Sequence, residues 1–167
     1  MIKKISPPLA KTTGLLHDGG VFFPSNTLSQ MTLEAASMKM CDMFQTADWK
    51  TEKHVPAIEC DDAVAADAFF PVTVSLGKEI AHPNTTEHHI RWIRCYFKPE
   101  GDKFSYEVGS FEFTAHGECA KGPNEGPVYT NHTVTFQLKI KTPGVLVASS
   151  FCNIHGLWES SKAVALK

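Results

Sequence analysis

Apolar side chains recur at every second position in two segments of the chain, 70–76 and 134–140. Successive side chains of a strand point to opposite faces, so this spacing predicts strands with one buried face. Two further segments, 90–97 and 104–113, are rich in aromatic and β-branched residues and are separated by a turn sequence at 98–102. Short strands with regular turn signals predict an all-β fold, an antiparallel β-sandwich.

The first 43 residues do not share this alternation. Prolines and glycines make their beginning loop-like. Thr27 and Gln30 then have the spacing of a capping box, which marks the start of a helix. Apolar residues follow at helical spacing: Leu28, Met31, Ala35 and Met38. We therefore predict an N-terminal extension over 1–43, with a short helix over about 27–42, and a β-sandwich domain over 44–167. The extension is expected to be an arm for packing or oligomer contacts; the alternative is upstream sequence included by an early start codon.

Composition and charge narrow the classes of function. Of the 167 residues, 43% are hydrophobic and 20% are charged, as in ordinary globular proteins. A net charge of -2 argues against nucleic acid as a partner, because phosphate binding needs concentrated lysine and arginine. No apolar run approaches the roughly 20 residues that cross a bilayer, and no signal peptide is visible. We expect a cytoplasmic protein with no membrane partner.

Potential metal ligands occur in three parts of the chain: His54, then His82 and His88, then Cys152 and His155. A structural zinc site is filled by four ligands in a tetrahedron, whereas this set has five. Imidazole suits iron, copper, nickel and zinc, and thiolate favours softer or redox-active centres. Five ligands on an octahedral metal leave one position vacant for a small molecule. The set therefore predicts a mononuclear iron site.

The ligand types also indicate a reaction. A thiolate perpendicular to a plane of four imidazoles donates electron density through the metal toward whatever binds opposite. Such a metal is a good one-electron donor to a small anion such as superoxide. Reduction of superoxide to hydrogen peroxide needs one electron and two protons, and it needs no deep pocket. Positive charge beside the site speeds the capture of an anion, and Lys53, next to His54, is the candidate for that charge.

Four segments together resemble one family, the superoxide reductases of the one-iron, neelaredoxin type, which are homologous to the iron-reducing domain of desulfoferrodoxin. These segments occur in order along the chain, at 48–56, 82–90, 106–113 and 152–159. The first contains Glu52-Lys53-His54, and the last begins Cys152-Asn153-Ile154-His155-Gly156. The resemblance extends from about Phe44 to the C-terminus.

The resemblance implies a role for each candidate residue. Cys152 is expected to be the axial ligand of the iron. Glu52 is expected to occupy the sixth position in the ferric form and to leave it on reduction, and Lys53 to guide superoxide. The expected equatorial ligands are four histidines: His54, His82, His88 and His155.

The resemblance also implies an immunoglobulin-like sandwich of seven strands and a homotetramer. An external one-electron donor such as rubredoxin is expected as a partner. Two-iron members of the family carry a second centre held by four cysteines, but this chain has only Cys41 before the core and no Cys-x-x-Cys pair. One iron per chain is therefore expected, and an odd count of five cysteines does not favour disulfides.

Several alternatives stay open at this point. Strand alternation allows only one of His88 and His89 to face the metal and does not decide between them, whereas the resemblance favours His88. A non-catalytic module that binds zinc or copper, and an enzyme whose main activity is superoxide dismutation, are both compatible with the ligand types. A non-haem iron oxygenase fits less well, because its site has two histidines and one carboxylate. Four histidines are expected not to be ligands: His17, His89, His116 and His132.

Overall fold

The structure, a computed structural model, describes residues 37–167. Its first regular element is a single turn of 3-10 helix, Met40–Met43, and Lys39 before it is extended with φ -99° and ψ 160°. The predicted helix over about 27–42 is therefore wrong at its described end, because 37–39 are not helical and the turn that follows is not α-helical. The rest of that prediction, and most of the predicted extension over 1–43, lie outside the described residues.

The described chain is almost entirely β-structure, as the alternation predicts. It contains eight strands: β1 (Ala57–Glu59), β2 (Ala63–Val64), β3 (Phe69–Ser75), β4 (Ile90–Pro99), β5 (Tyr106–Glu112), β6 (Thr133–Lys139), β7 (Gly144–Cys152) and β8 (Gly156–Leu166). A three-stranded sheet has the order β1-β3-β6, and a five-stranded sheet has the order β2-β8-β7-β4-β5. The predicted β-sandwich is confirmed, with eight strands instead of seven. Within residues 37–167 no helix is long and apolar enough to span a membrane.

Alternating residues of both sheets form the core between them. In the three-stranded sheet, Val72 and Val74 of β3 are almost completely buried. In the five-stranded sheet, Ile93 and Cys95 of β4 and Leu146 of β7 are buried to the same degree, and all five belong to one apolar cluster. This cluster holds the two sheets together, so the loops at their edges can carry functional side chains without disturbing the core.

Strand pairing brings two distant parts of the chain together at one end of the strands of the larger sheet. Cys152, the last residue of β7, pairs with Ile90, the first residue of β4. The connection between β3 and β4 therefore ends beside the hairpin between β7 and β8. Gly77 begins that connection with φ +70°, and a Cβ at this position would lie 2.4 Å from the backbone N of His82. Glycine is needed there because any larger residue would displace His82.

Candidate metal centre

His54 lies in the loop before β1, with its ring buried and its backbone anchored to the core. The hydroxyl of Ser150, a fully buried residue of β7, donates a hydrogen bond to the carbonyl of His54 at 3.1 Å. One carboxylate oxygen of Glu52 accepts hydrogen bonds from the ring Nδ1, at 2.5 Å, and from the backbone N of His54, at 3.2 Å. The indole of Trp158 stacks on the ring, with centroids 5.2 Å apart. These contacts fix the orientation of the imidazole and leave its Nε2 edge free for other partners.

His82 is held in a similar way on the opposite side of the site. It is buried, and its Nδ1 donates a hydrogen bond to the carbonyl of Pro83 at 2.6 Å. A carbonyl oxygen only accepts hydrogen bonds, so the proton must be on Nδ1 and the lone pair on Nε2. The rings of His82 and His54 meet edge to face with centroids 4.8 Å apart.

The Nε2 atoms of His54 and His82 are both buried and have no hydrogen-bond partner. Nearly all buried polar atoms in proteins have a partner, so a pair of such atoms facing one site requires an explanation. In both rings the other nitrogen is occupied by an acceptor, which leaves a lone pair on Nε2. This is the arrangement of a metal-ligating histidine, whose second nitrogen donates to a carboxylate or carbonyl.

Cys152 and His155 are brought together by the hairpin between β7 and β8. Cys152 pairs with Gly156 across a loop of three residues, and Gly156 has φ +76°. This conformation is typical of a three-residue hairpin loop closed by a glycine. Cys152 is fully buried, and its Sγ lies 3.5 Å from Nδ1 of His155. The hairpin therefore presents a sulfur and a ring nitrogen on the same side, as the Cys-x-x-His spacing allows.

His88 lies just before β4, and its Nε2 lies 3.1 Å from Nδ1 of His155. The neighbouring ring of His89 turns the other way. It stacks on His116 with centroids 3.7 Å apart, and its Nδ1 donates to the carbonyl of Thr85 at 2.8 Å. The structure therefore directs His88 into the site and His89 away from it.

All five predicted ligands meet at one place. Single ligand atoms of His54, His82, His88 and Cys152 lie within 4.8 Å of one another. His155 joins them through its Nδ1, which contacts both His88 and Cys152. Three of these residues are buried, whereas His88 is half-buried and His155 exposed, so the site opens to solvent on their side. Four imidazole nitrogens and one thiol sulfur fit a single iron ion, since both donor types bind that metal.

Burial keeps the histidines in the neutral form that a metal requires. It is the main cause that lowers the pKa of His82 to about 3, although the hydrogen bond to Pro83 opposes the shift. Burial also lowers the pKa of His54 and of His88. The positive charge of Lys53 acts in the same direction on both rings. The ammonium group of Lys53 therefore lies near enough to both rings for its charge to act on them.

Glu52 and Lys53 occupy different positions around the site. Burial raises the pKa of Glu52, but hydrogen bonds from His54 outweigh it and lower the pKa overall, so the carboxylate is ionised at neutral pH. It lies against Nδ1 of His54, the nitrogen that does not face the other ligands. Lys53 is half-buried, and its carbonyl accepts a hydrogen bond from the backbone N of Gly77 at 3.1 Å.

Sequence patterns alone did not indicate the polar residues that surround the ligands. His116 is buried, and its Nδ1 lies 2.7 Å from the side-chain oxygen of Asn84, two residues after His82. His132 meets the ring of His82 edge to face at 5.7 Å. Neither ring belongs to the group of converging ligand atoms. Their positions depend on loops that are far apart in the chain, and no local spacing signals such contacts.

Acidification below about pH 6.5 is expected to destabilise the metal-free protein, and for His82 the loss continues down to about pH 3. Here the unfolded histidines bind protons that folded His54, His82 and His132 exclude, so the free energy of unfolding falls as the pH falls. The free energy of unfolding falls by up to about 1.4 kcal/mol per pH unit for each such histidine. It has its full value above about pH 6.5. Carboxylates with a lowered pKa, such as Glu87, act in the same direction only below about pH 4.5.

Urea unfolding of the metal-free protein on either side of the unfolded histidine pKa, at about pH 7.5 and about pH 5, measures this loss. The difference between the two pH values should be smaller in His82→Gln than in the wild type. Equal free energies of unfolding at both pH values would contradict the prediction.

Comparison with known proteins places the chain in a family. The desulfoferrodoxin family model matches residues 46–161, which is more than half of the chain. The superoxide reductase of Pyrococcus furiosus is 55% identical over 119 residues, covering 71% of this chain and 94% of that protein. The superoxide reductase (neelaredoxin) of Archaeoglobus fulgidus, solved in the reduced form, is 54% identical with a TM-score of 0.70, covering 74% of this chain and 99% of that one. The neelaredoxin of Ignicoccus hospitalis is 37% identical with a TM-score of 0.63, covering 78% of this chain and all of that one. The chain, with its β-sandwich and its cluster of histidine and cysteine ligands, therefore belongs to the desulfoferrodoxin family of superoxide reductases.

Proposed function

We propose that the protein is a superoxide reductase, which converts superoxide to hydrogen peroxide at a mononuclear iron centre. The observation that carries this proposal is the pair of buried, unpartnered Nε2 atoms on His54 and His82, which face the sulfur of Cys152. The relatives from Pyrococcus furiosus and Archaeoglobus fulgidus, both named superoxide reductases, support it.

In this proposal five residues hold the iron: His54, His82, His88 and His155 through ring nitrogens, and Cys152 through its sulfur. The nitrogen that faces the site is Nε2 in the first three histidines and Nδ1 in His155. When bound, iron would supply one-electron chemistry by cycling between its Fe2+ and Fe3+ forms. The four imidazoles are neutral and Cys152 adds one negative charge, so the ligand set leaves the centre positive toward an anion.

The chain's own residues then bring superoxide and protons to the site. Each superoxide takes up one electron and two protons and leaves as one molecule of hydrogen peroxide. The ammonium group of Lys53 raises the local concentration of the anion on the open side, where His88 and His155 are least buried. Protons arrive from solvent on the same side. The buried Cys152 would hold the iron from the closed side and, as a thiolate, would supply electron density to it.

The electron comes from outside the protein, from a one-electron donor such as rubredoxin. The exposed His155 lies 3.5 Å from the sulfur of the buried Cys152, and in this proposal the electron enters through this part of the hairpin. Assembly as a homotetramer and a place in the cytoplasm complete the proposal.

Metal content separates this proposal from a non-catalytic zinc or copper module. Protein purified from its native host should contain one iron per chain and show a visible thiolate-to-iron charge-transfer band when oxidised. Stoichiometric zinc with no visible band would overturn the proposal.

Glu52 is expected to have two roles, which the comparison of two substitutions separates. As proposed sixth ligand it would close the oxidised site, and as partner of Nδ1 it orients His54. Glu52→Ala is expected to open the oxidised site to added anions such as azide. It should also weaken metal binding by about 10-fold to 100-fold, the usual effect of losing a carboxylate that orients a ligand.

Glu52→Gln, which keeps an oxygen that can accept from His54, should retain metal affinity more fully than Glu52→Ala. Anion titration of the oxidised protein and competition with a chelator measure the two effects. If anion binding does not change in Glu52→Ala, the role as sixth ligand is wrong.

A further inference from the structure

His88 differs from the two buried histidine ligands, His54 and His82, in the way it is held. The rings of His54 and His82 are each oriented by a hydrogen bond from Nδ1 to an oxygen. Within residues 37–167, no hydrogen bond from Nδ1 of His88 is found, and its Nε2 lies among the converging ligand atoms, 3.1 Å from Nδ1 of His155. Its ring direction must therefore be set by the backbone that carries it.

That backbone is held by the amide of Asn153, which follows Cys152 in the hairpin. The side-chain Nδ2 of Asn153 donates to the carbonyl of Glu87 at 2.8 Å, and its Oδ1 accepts from the backbone N of His89 at 2.8 Å. The backbone N of Asn153 also donates to the carbonyl of His89, at 3.1 Å. One residue thus makes three hydrogen bonds to the two neighbours of His88.

A second asparagine supports the same turn from another loop. Asn124, with φ 62°, accepts a hydrogen bond at its Oδ1 from the backbone N of Thr86, at 2.8 Å. Its Nδ2 donates to the carboxylate of Glu87 at 2.8 Å. Asn124 secures the turn itself, whereas Asn153 connects the turn to the hairpin that carries Cys152.

We propose that Asn153 is a positioning residue, which holds His88 at a fixed distance from Cys152 and His155 and so sets the geometry of the metal centre. This inference rests on the proposed iron centre and adds a residue that touches neither metal nor substrate. Because Asn153 is adjacent to Cys152 in sequence, its amide ties two of the three ligand-bearing segments into one unit. Without this amide, the position of the His88 ring relative to the sulfur of Cys152 would no longer be fixed.

Binding of Co2+ to the metal-free protein tests the proposal without superoxide. Asn153→Ala is expected to bind Co2+ about 10-fold to 100-fold more weakly than the wild type, as for other residues that orient ligands. The energy of the thiolate-to-cobalt absorption band should shift, because the distance and angle at Cys152 change. A purely structural role in folding the hairpin would lower the unfolding midpoint but leave the band where it is.

Two further variants keep the test decisive. Asn153→Asp keeps the acceptor that faces His89 but places an oxygen against the carbonyl of Glu87, so its affinity should also fall, and it carries the test if Asn153→Ala does not fold. Asn131→Ala, at an exposed position, is the matched control and should bind Co2+ as the wild type does. The proposal expects a 10-fold or greater loss of Co2+ affinity in the Asn153 variants. It would be overturned if their affinity stayed within about twofold of the wild type and their absorption band did not shift. A different result would overturn the proposed function but not the role of Asn153. In that case the wild-type protein would bind Co2+ tightly, but the iron-loaded wild-type protein would not reduce superoxide.

Discussion

Replacement of Cys152 by serine is expected to abolish superoxide reduction, with a fall in rate of more than about 100-fold, since even residues that only orient ligands cost 10-fold to 100-fold. Cys152 is fully buried, and its sulfur lies within 4.8 Å of ring nitrogens of His54, His82 and His88. A serine hydroxyl is nearly the same size but does not ionise near neutral pH, so the electron-donating thiolate is lost. The visible thiolate-to-iron band should disappear together with the activity.

Cys95→Ser is the matched control for this variant. Cys95 is also buried, in β4, but burial raises the pKa of its thiol to about 12, so it is a neutral core residue. Its replacement should lower stability by a similar amount and leave both the absorption band and the activity. Stopped-flow mixing of the reduced proteins with superoxide compares the two. Retained activity in Cys152→Ser would refute the assignment of the axial ligand.

Lys53→Ala is expected to slow the second-order reaction with superoxide by roughly threefold to tenfold. Charged surfaces raise the capture rates of small ions by about 10-fold to 1,000-fold in total, and Lys53 is one contributor. Its charge acts directly on His54 and His88, so it lies within the field that the anion meets. The dependence of the rate on ionic strength should also become weaker, because the removed attraction is screened by salt.

Lys141→Ala provides the control for Lys53→Ala. Lys141 is exposed and lies before β7, at the end of that strand opposite to Cys152, where it is 3.9 Å from Asp67. Lys141→Ala removes the same net charge as Lys53→Ala. However, about 27 Å of strand lies between Lys141 and the site, which is more than two Debye lengths at physiological salt. Equal rates in Lys53→Ala and the wild type would show that Lys53 is only a solvated surface charge.

The fold was largely predictable because its strands carry a regular alternation. The predicted segments 70–76 and 134–140 are β3 and β6 within one residue, and the two strands pair over their whole length. The expected count of seven strands came from the family resemblance and not from the alternation. The structure has eight, of which β2, with only two residues, is too short for any periodicity to show. The described end of the predicted helix, 37–42, is exposed, and helical spacing without tertiary packing is a weak guide to helix formation.

At the site, sequence spacing identified side chains that the structure brings together, since each motif is short and each ligand type is distinctive. It could not indicate what holds them. The contact of Glu52 with Nδ1 of His54 is local but depends on a side-chain rotamer. The bonds of Asn153 to Glu87 and His89 join residues more than 60 positions apart, and they arise only from the register of β4 against β7. Such support is a property of the folded chain and not of any motif.

The reaction of the reduced, iron-loaded protein with superoxide, with hydrogen peroxide and oxygen measured together, tests the proposed function most directly. If the protein is a superoxide reductase, each superoxide consumed should yield one hydrogen peroxide, oxidise one iron and release no oxygen. One oxygen and one peroxide formed from every two superoxides, with the iron still reduced at the end, would show a dismutase and contradict the account. So would an iron centre that does not react with superoxide at all.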